Sequence, residues 1–125
     1  MPAAFPSTPI HRWPDQARTR WSESRATQEW STGYRQRVAR AYGRLLAHAG
    51  RPHLAKDDVT DAVDAFCADV EASLRPSSAI TYAEELAYAL LILHPDVDWT
   101  GLQARNRDRR ATLRRTSKGA HQANT

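Results

Sequence analysis

WSTGYRQRVARAYGRLLAHAG, Trp30 to Gly50, decides the fold because it reads as one helix with two unlike faces. At about 100° per residue, Tyr34, Val38, Ala41, Tyr42, Leu45 and Ala49 share an apolar arc, while Arg37, Arg40 and Arg44 form a separate stripe. Ser31 or Thr32 can accept the first free backbone N–H groups, and Gly50 followed by Pro52 supplies a stop. The stripe alone names no partner, because a solvated basic face on a helix is ordinary.

Upstream, residues 1–12 hold three prolines and no periodicity, which predicts an extended or mobile lead-in. Trp13-Pro14-Asp15 starts a short helix that places Trp21 eight residues after Trp13, and residues 22–29 read as a polar connector. Downstream, Asp57 or Asp58 can cap a helix running to about Leu74. Its apolar series is Val59, Ala62, Val63, Phe66, Cys67, Val70 and Leu74, and its other face is acidic and reads as solvated. Arg75-Pro76-Ser77-Ser78 breaks that helix and starts another, in which Ile80, Ala83, Leu86, Ala87, Leu90, Leu91 and Leu93 make the widest apolar face, the mark of a central helix. His94-Pro95 ends it, since proline disfavours helical geometry in the residue before it. Asp98, Trp99 and Leu102 open a final short helix, with fraying expected beyond Leu113. No segment alternates with period two, so the fold class is all-α, in one domain.

The chain of 125 residues carries a net charge of +4, distributed unevenly. Residues 1–56 hold ten basic and three acidic residues, 57–98 hold one and ten, and 99–125 hold seven and one. An acidic segment between two basic ones can turn its basic helices toward a polyanion, or the patches can interleave and cancel. No apolar run approaches the roughly 20 residues of a membrane span, so no membrane partner is expected. MPAAFPSTPIHRW lacks the basic patch and apolar core of an export signal, which predicts a cytoplasmic protein. Cys67, the single cysteine, excludes an internal disulfide and reads as a small buried hydrophobe.

The order is a tryptophan helix, a basic amphipathic helix, an acidic one, a Ser/Thr-started apolar helix and a Pro-Asp-x-Asp-Trp turn. It resembles the N-terminal core-binding, SAM-like domain of tyrosine recombinases and phage integrases. The carrying residues are Trp13-Pro14-Asp15 with Trp21, Trp30-Ser31 through Arg40-Ala41-Tyr42-Gly43-Arg44, Glu85-Leu86 with Ala89-Leu90, and His94-Pro95-Asp96-Val97-Asp98-Trp99. The resemblance implies a four-helix bundle over residues 13–104, preceded by the lead-in and followed by a basic, partly disordered tail over 105–125. It also implies half of a clamp around double-stranded DNA, held mainly through phosphates in DNA integration and recombination. Mapped onto this chain, Arg37, Arg40 and Arg44 contact phosphates, with Arg35 at the rim, and Ser77, Ser78 and Thr81 bring hydroxyls and a helix N-terminus to the backbone. For Ser77 and Ser78, simple N-capping is an equal reading. Arg105, Arg109 and Arg110 belong to a segment that leads into a recombinase linker, acts as a phosphate-binding arm, or is a frayed soluble end. A recombinase catalytic domain or other recombinase subunits are further partners that the resemblance implies.

Two departures limit the mapping. Glu85 and Tyr88 are expected on the outward face of the Ser77 helix, and position 82 is tyrosine where related domains commonly offer a basic residue. The recombinase catalytic domain is also missing, so no catalytic activity is expected. His48-Ala49-Gly50-Arg51 matches the short His-x-x-Arg pattern of that domain but falls at a helix C-terminus, where both side chains commonly meet free carbonyls. The remaining histidines lack metal-ligand spacing and no phosphate loop or nucleophile elbow is present, so neither metal nor cofactor is expected. From another class, a helical protein-interaction module with the acidic Asp57 to Leu74 helix as its contact surface is the alternative.

Overall fold

The computed structural model describes residues 5–123, and the side-chain surroundings of residues 5–116. A 3-10 turn at Ile10–Arg12 precedes six helices: α1 (Asp15–Glu23), α2 (Arg25–Glu29), α3 (Thr32–Ala49), α4 (Lys56–Ser73), α5 (Pro76–Leu93) and α6 (Thr100–Ala123). No strand occurs among the described residues, so the all-α class stands.

α3 forms as its sequence dictates. The Ser31 hydroxyl accepts the Tyr34 N–H at 3.3 Å, and Gly50 adopts the left-handed conformation at φ 66°. From there Gly50 N–H returns to the Leu46 and Ala47 carbonyls, satisfying groups the helix end leaves open. Val38, Ala41, Tyr42 and Leu45 are buried, with Leu46 beside them. α5 is the hub of the bundle, packing against α1, α3, α4 and α6. Leu86, Leu90 and Leu93 are fully buried on it, each worth about 1.5–3 kcal/mol relative to exposure. It stops at His94, before Pro95. Cys67 is buried beside Phe66 on α4, and burial pushes its thiol up to about 11, fitting an inert packing role.

Several local expectations are corrected. α4 begins at Lys56 with Ala55 as N-cap, so neither Asp57 nor Asp58 caps it; both sit in the first turn, where their charge complements the helix dipole. α5 likewise has Arg75 as N-cap and Pro76 at its first position, so Ser77 and Ser78 lie inside the helix. The connector over 22–29 contains α2, capped by the Ser24 hydroxyl on Thr27 N–H. Buried Thr27 donates its hydroxyl to the Trp21 carbonyl at 2.9 Å, which ties α2 to α1.

The described part of the lead-in, from Phe5 onward, is docked. Phe5 meets Phe66 and Tyr82 edge-on, Ser7 donates to the Arg40 carbonyl at 3.0 Å, and Thr8 N–H donates to the Gly43 carbonyl at 3.0 Å. A Cβ at position 43 would collide with the Ser7 hydroxyl and the Thr8 carbonyl, so glycine is what lets the segment cross α3. Trp13 then packs edge-on against Trp21 and Tyr42.

The expected short last helix is instead 24 residues long. Its polar sequence holds because it is anchored laterally: Asn106, buried, donates to the Ala83 carbonyl at 3.1 Å, and three arginines reach carboxylates on α4 and α5.

Candidate nucleic-acid interface

The arginine stripe of α3 lies along one edge of α5. Arg44 stacks over the Tyr82 ring at 4.0 Å, and one Arg37 guanidinium nitrogen sits 2.7 Å from Glu85. Ser78, Tyr82 and Glu85 follow one another at helical spacing, so the edge carrying the stripe runs back to the start of α5. Glu85 was expected to face outward but is only 6% exposed. The reason is α3: Glu85 falls on the face α5 turns toward it, and Arg37 compensates the buried charge there.

The four α3 arginines therefore differ in what they have left to offer. Arg35 donates to the Thr27 carbonyl at 2.7 Å and the Trp30 carbonyl at 3.2 Å, so it braces α2 against α3. Arg37 neutralises Glu85 but is more than half exposed. Arg44 is half-buried; burial lowers its pKa, and its Nη1 is enclosed without a hydrogen-bond partner. Arg40 is exposed, and its side chain has no ion pair or hydrogen bond among the described residues.

At the start of α5, Ser77 and Ser78 are exposed. Thr81 is half-buried; its hydroxyl donates to the Ser77 carbonyl at 3.0 Å and accepts from Arg110 at 3.2 Å. On α6, Arg105 and Arg109 both reach Glu71, at 2.7 and 2.6 Å. Arg110 reaches Glu84 at 2.6 Å, and the hydrogen bond to that carboxylate raises its pKa. Five exposed arginines outside the sequence-based set, Arg12, Arg75, Arg107, Arg114 and Arg115, pair with no carboxylate among the described residues. The seven-residue spacing of Arg107 and Arg114 places them on one face of α6, a signal present in the sequence.

The charged segments interleave. Besides these pairs, His48 meets Asp69 at 2.6 Å and Arg51 meets Asp58 at 3.1 Å, so both members of the His-x-x-Arg motif are bound to α4 carboxylates. Asp57, Asp61 and Asp64 remain exposed on the outer side of α4, whereas Glu71 does not belong to a purely solvated face. No group of three potential metal ligands occurs among the described residues, and no described helix is long and apolar enough to cross a membrane.

Comparison with protein families, with curated proteins and with solved structures finds no match. Fold and surface define an all-α bundle with a basic strip on α3 that is tied down at Arg35, shared at Arg37 and Arg44, and open at Arg40.

Proposed function

We propose that this chain is a SAM-like core-binding bundle of the tyrosine recombinase type that holds double-stranded DNA through its phosphate backbone. The adjacency of the two DNA-facing elements carries this reading: the Arg37, Arg40 and Arg44 stripe lies along the α5 edge that begins at Ser78. Phosphate contacts need charge, reach and a fixed register, and arginines on a capped helix supply them. Arg40 makes the leading contact, Arg37 adds its exposed side, and Ser77 and Ser78 offer hydroxyls and a helix N-terminus. Stacked on Tyr82, Arg44 is pre-oriented at the price of mobility. Arg105, Arg109 and Arg110 contribute less, because Glu71 and Glu84 already balance their charge. In this reading the protein works in the cytoplasm, positions DNA for integration or recombination, and performs no strand transfer itself.

Titration of random-sequence duplex at increasing salt tests the reading. A backbone binder loses affinity linearly in log–log form, with a slope of about −0.9 per phosphate neutralised. Absence of duplex binding at low salt overturns it and favours a protein-interaction role for the acidic outer side of α4.

A further inference from the structure

A cavity of about 260 Å³ opens between α1, the α3–α4 connection and the end of α5. Its polar wall includes Arg20, Tyr42, His53, Lys56, His94 and Asp96, with Gln16 beside them, and its apolar wall includes Ala17, Leu54 and Val97. Tyr42 projects about 140° around α3 from Arg37, so the cavity lies on the side of that helix away from the arginine stripe.

The charge balance here differs from that at the ion pairs of α3 and α6. Arg37, Arg105, Arg109 and Arg110 each have a carboxylate partner. Arg20, half-buried, has only the Leu93 carbonyl, at 2.8 Å, which leaves most of its fork of donors uncommitted. His53 and Lys56 make no ion pair or side-chain hydrogen bond among the described residues, and Asp96 is the one carboxylate on the wall. Deeper in, Tyr42 and His94 share a hydrogen bond of 2.7 Å. Burial keeps the tyrosine protonated and the imidazole neutral, so this pair adds hydrogen-bonding capacity without negative charge.

We propose that this cavity binds the phosphate group of a small phosphomonoester, gripped by Arg20, His53 and Lys56 beside the Tyr42–His94 pair. A doubly charged tetrahedral oxyanion matches this set because a guanidinium, an ammonium and an imidazole can each take a different oxygen. The cavity exceeds what a bare oxyanion fills, and the apolar wall suits a short organic group attached to it. Asp96 sets the limit on total negative charge.

The test follows the His53 and His94 imidazole and Arg20 Nε–H resonances of the full chain by NMR. Inorganic phosphate and glycerol phosphate are titrated separately against a sodium chloride control of equal ionic strength. Both phosphates are expected to shift these signals saturably, and tighter binding of glycerol phosphate identifies an ester as the ligand. Equal affinity leaves free phosphate as the ligand and overturns the phosphomonoester assignment. His53→Gln and Lys56→Gln, both at exposed positions, should each weaken binding about tenfold, whereas Arg40→Gln should leave it unchanged. Shifts that do not saturate, that chloride reproduces, or that both cavity variants retain at parental affinity overturn the site. Duplex binding is read separately through Arg40, so failure of either proposal leaves the other standing.

Discussion

α3 and α6 are both rich in arginine, yet they spend that charge differently. On α6, Arg105 and Arg109 converge on Glu71 while Arg110 reaches Glu84, and these pairs hold a largely polar helix against the bundle. On α3, the apolar face already provides the anchoring; Arg35, Arg37 and Arg44 are drawn into structural contacts, and Arg40 is left open. A basic run in a sequence is therefore not a basic surface. What decides is whether the neighbouring helices bring carboxylates within reach, and α4 and α5 bring them to α6 more than to α3.

The largest effect is expected where α3, too, uses a carboxylate. Arg37→Ala leaves buried Glu85 without its cation and should cost about 2 kcal/mol in urea unfolding, with Glu85→Leu recovering most of the loss in the double variant. The opposite side of α3 should respond to pH. Burial, with Arg20 and His53, holds His94 down at about 4 from an ordinary 6.5. The unfolded chain takes up a proton below pH 6.5 that the folded chain refuses until about 4, so stability is full above 6.5 and falls as pH drops. We expect a loss of about 1–2 kcal/mol between pH 7.5 and 5, absent in His94→Gln.

Next in size is Gly43→Ala, which gains about 1 kcal/mol of helix propensity but collides with Ser7 and Thr8. A net loss of about 1 kcal/mol is expected in the full chain, turning into a gain once the chain is shortened to begin at Ile10. Glu71→Gln releases Arg105 and Arg109; these pairs are partly exposed, so the cost in thermal stability should be only about 1 kcal/mol. Duplex affinity should rise in the same variant, as two arginines on α6 become available.

The sequence displays what local chemistry controls and conceals what tertiary contact controls. Ser31, Gly50 and Pro95 mark helix ends because caps and breakers act within a turn of the residues that carry them. The hub role of α5 was likewise readable in its wide apolar face. Docking of the lead-in was not: it depends on a glycine at 43 meeting a segment some 35 residues away, a pairing no periodicity displays. Glu85 misled for the same reason, since its burial depends on Arg37 across the helix pair. At the basic face, the stripe itself was legible, but the ranking of its arginines was not, because the ranking contacts come from other elements, α5 for Arg37 and Arg44 and α2 for Arg35.

The most direct measurement compares the salt dependence of duplex binding in Arg40→Ala and Arg105→Ala, each expected to change stability by no more than about 1 kcal/mol. If Arg40 leads the contact with DNA, Arg40→Ala lowers the log–log slope by about one while Arg105→Ala leaves it unchanged. A slope that falls for Arg105→Ala and not for Arg40→Ala would contradict that role.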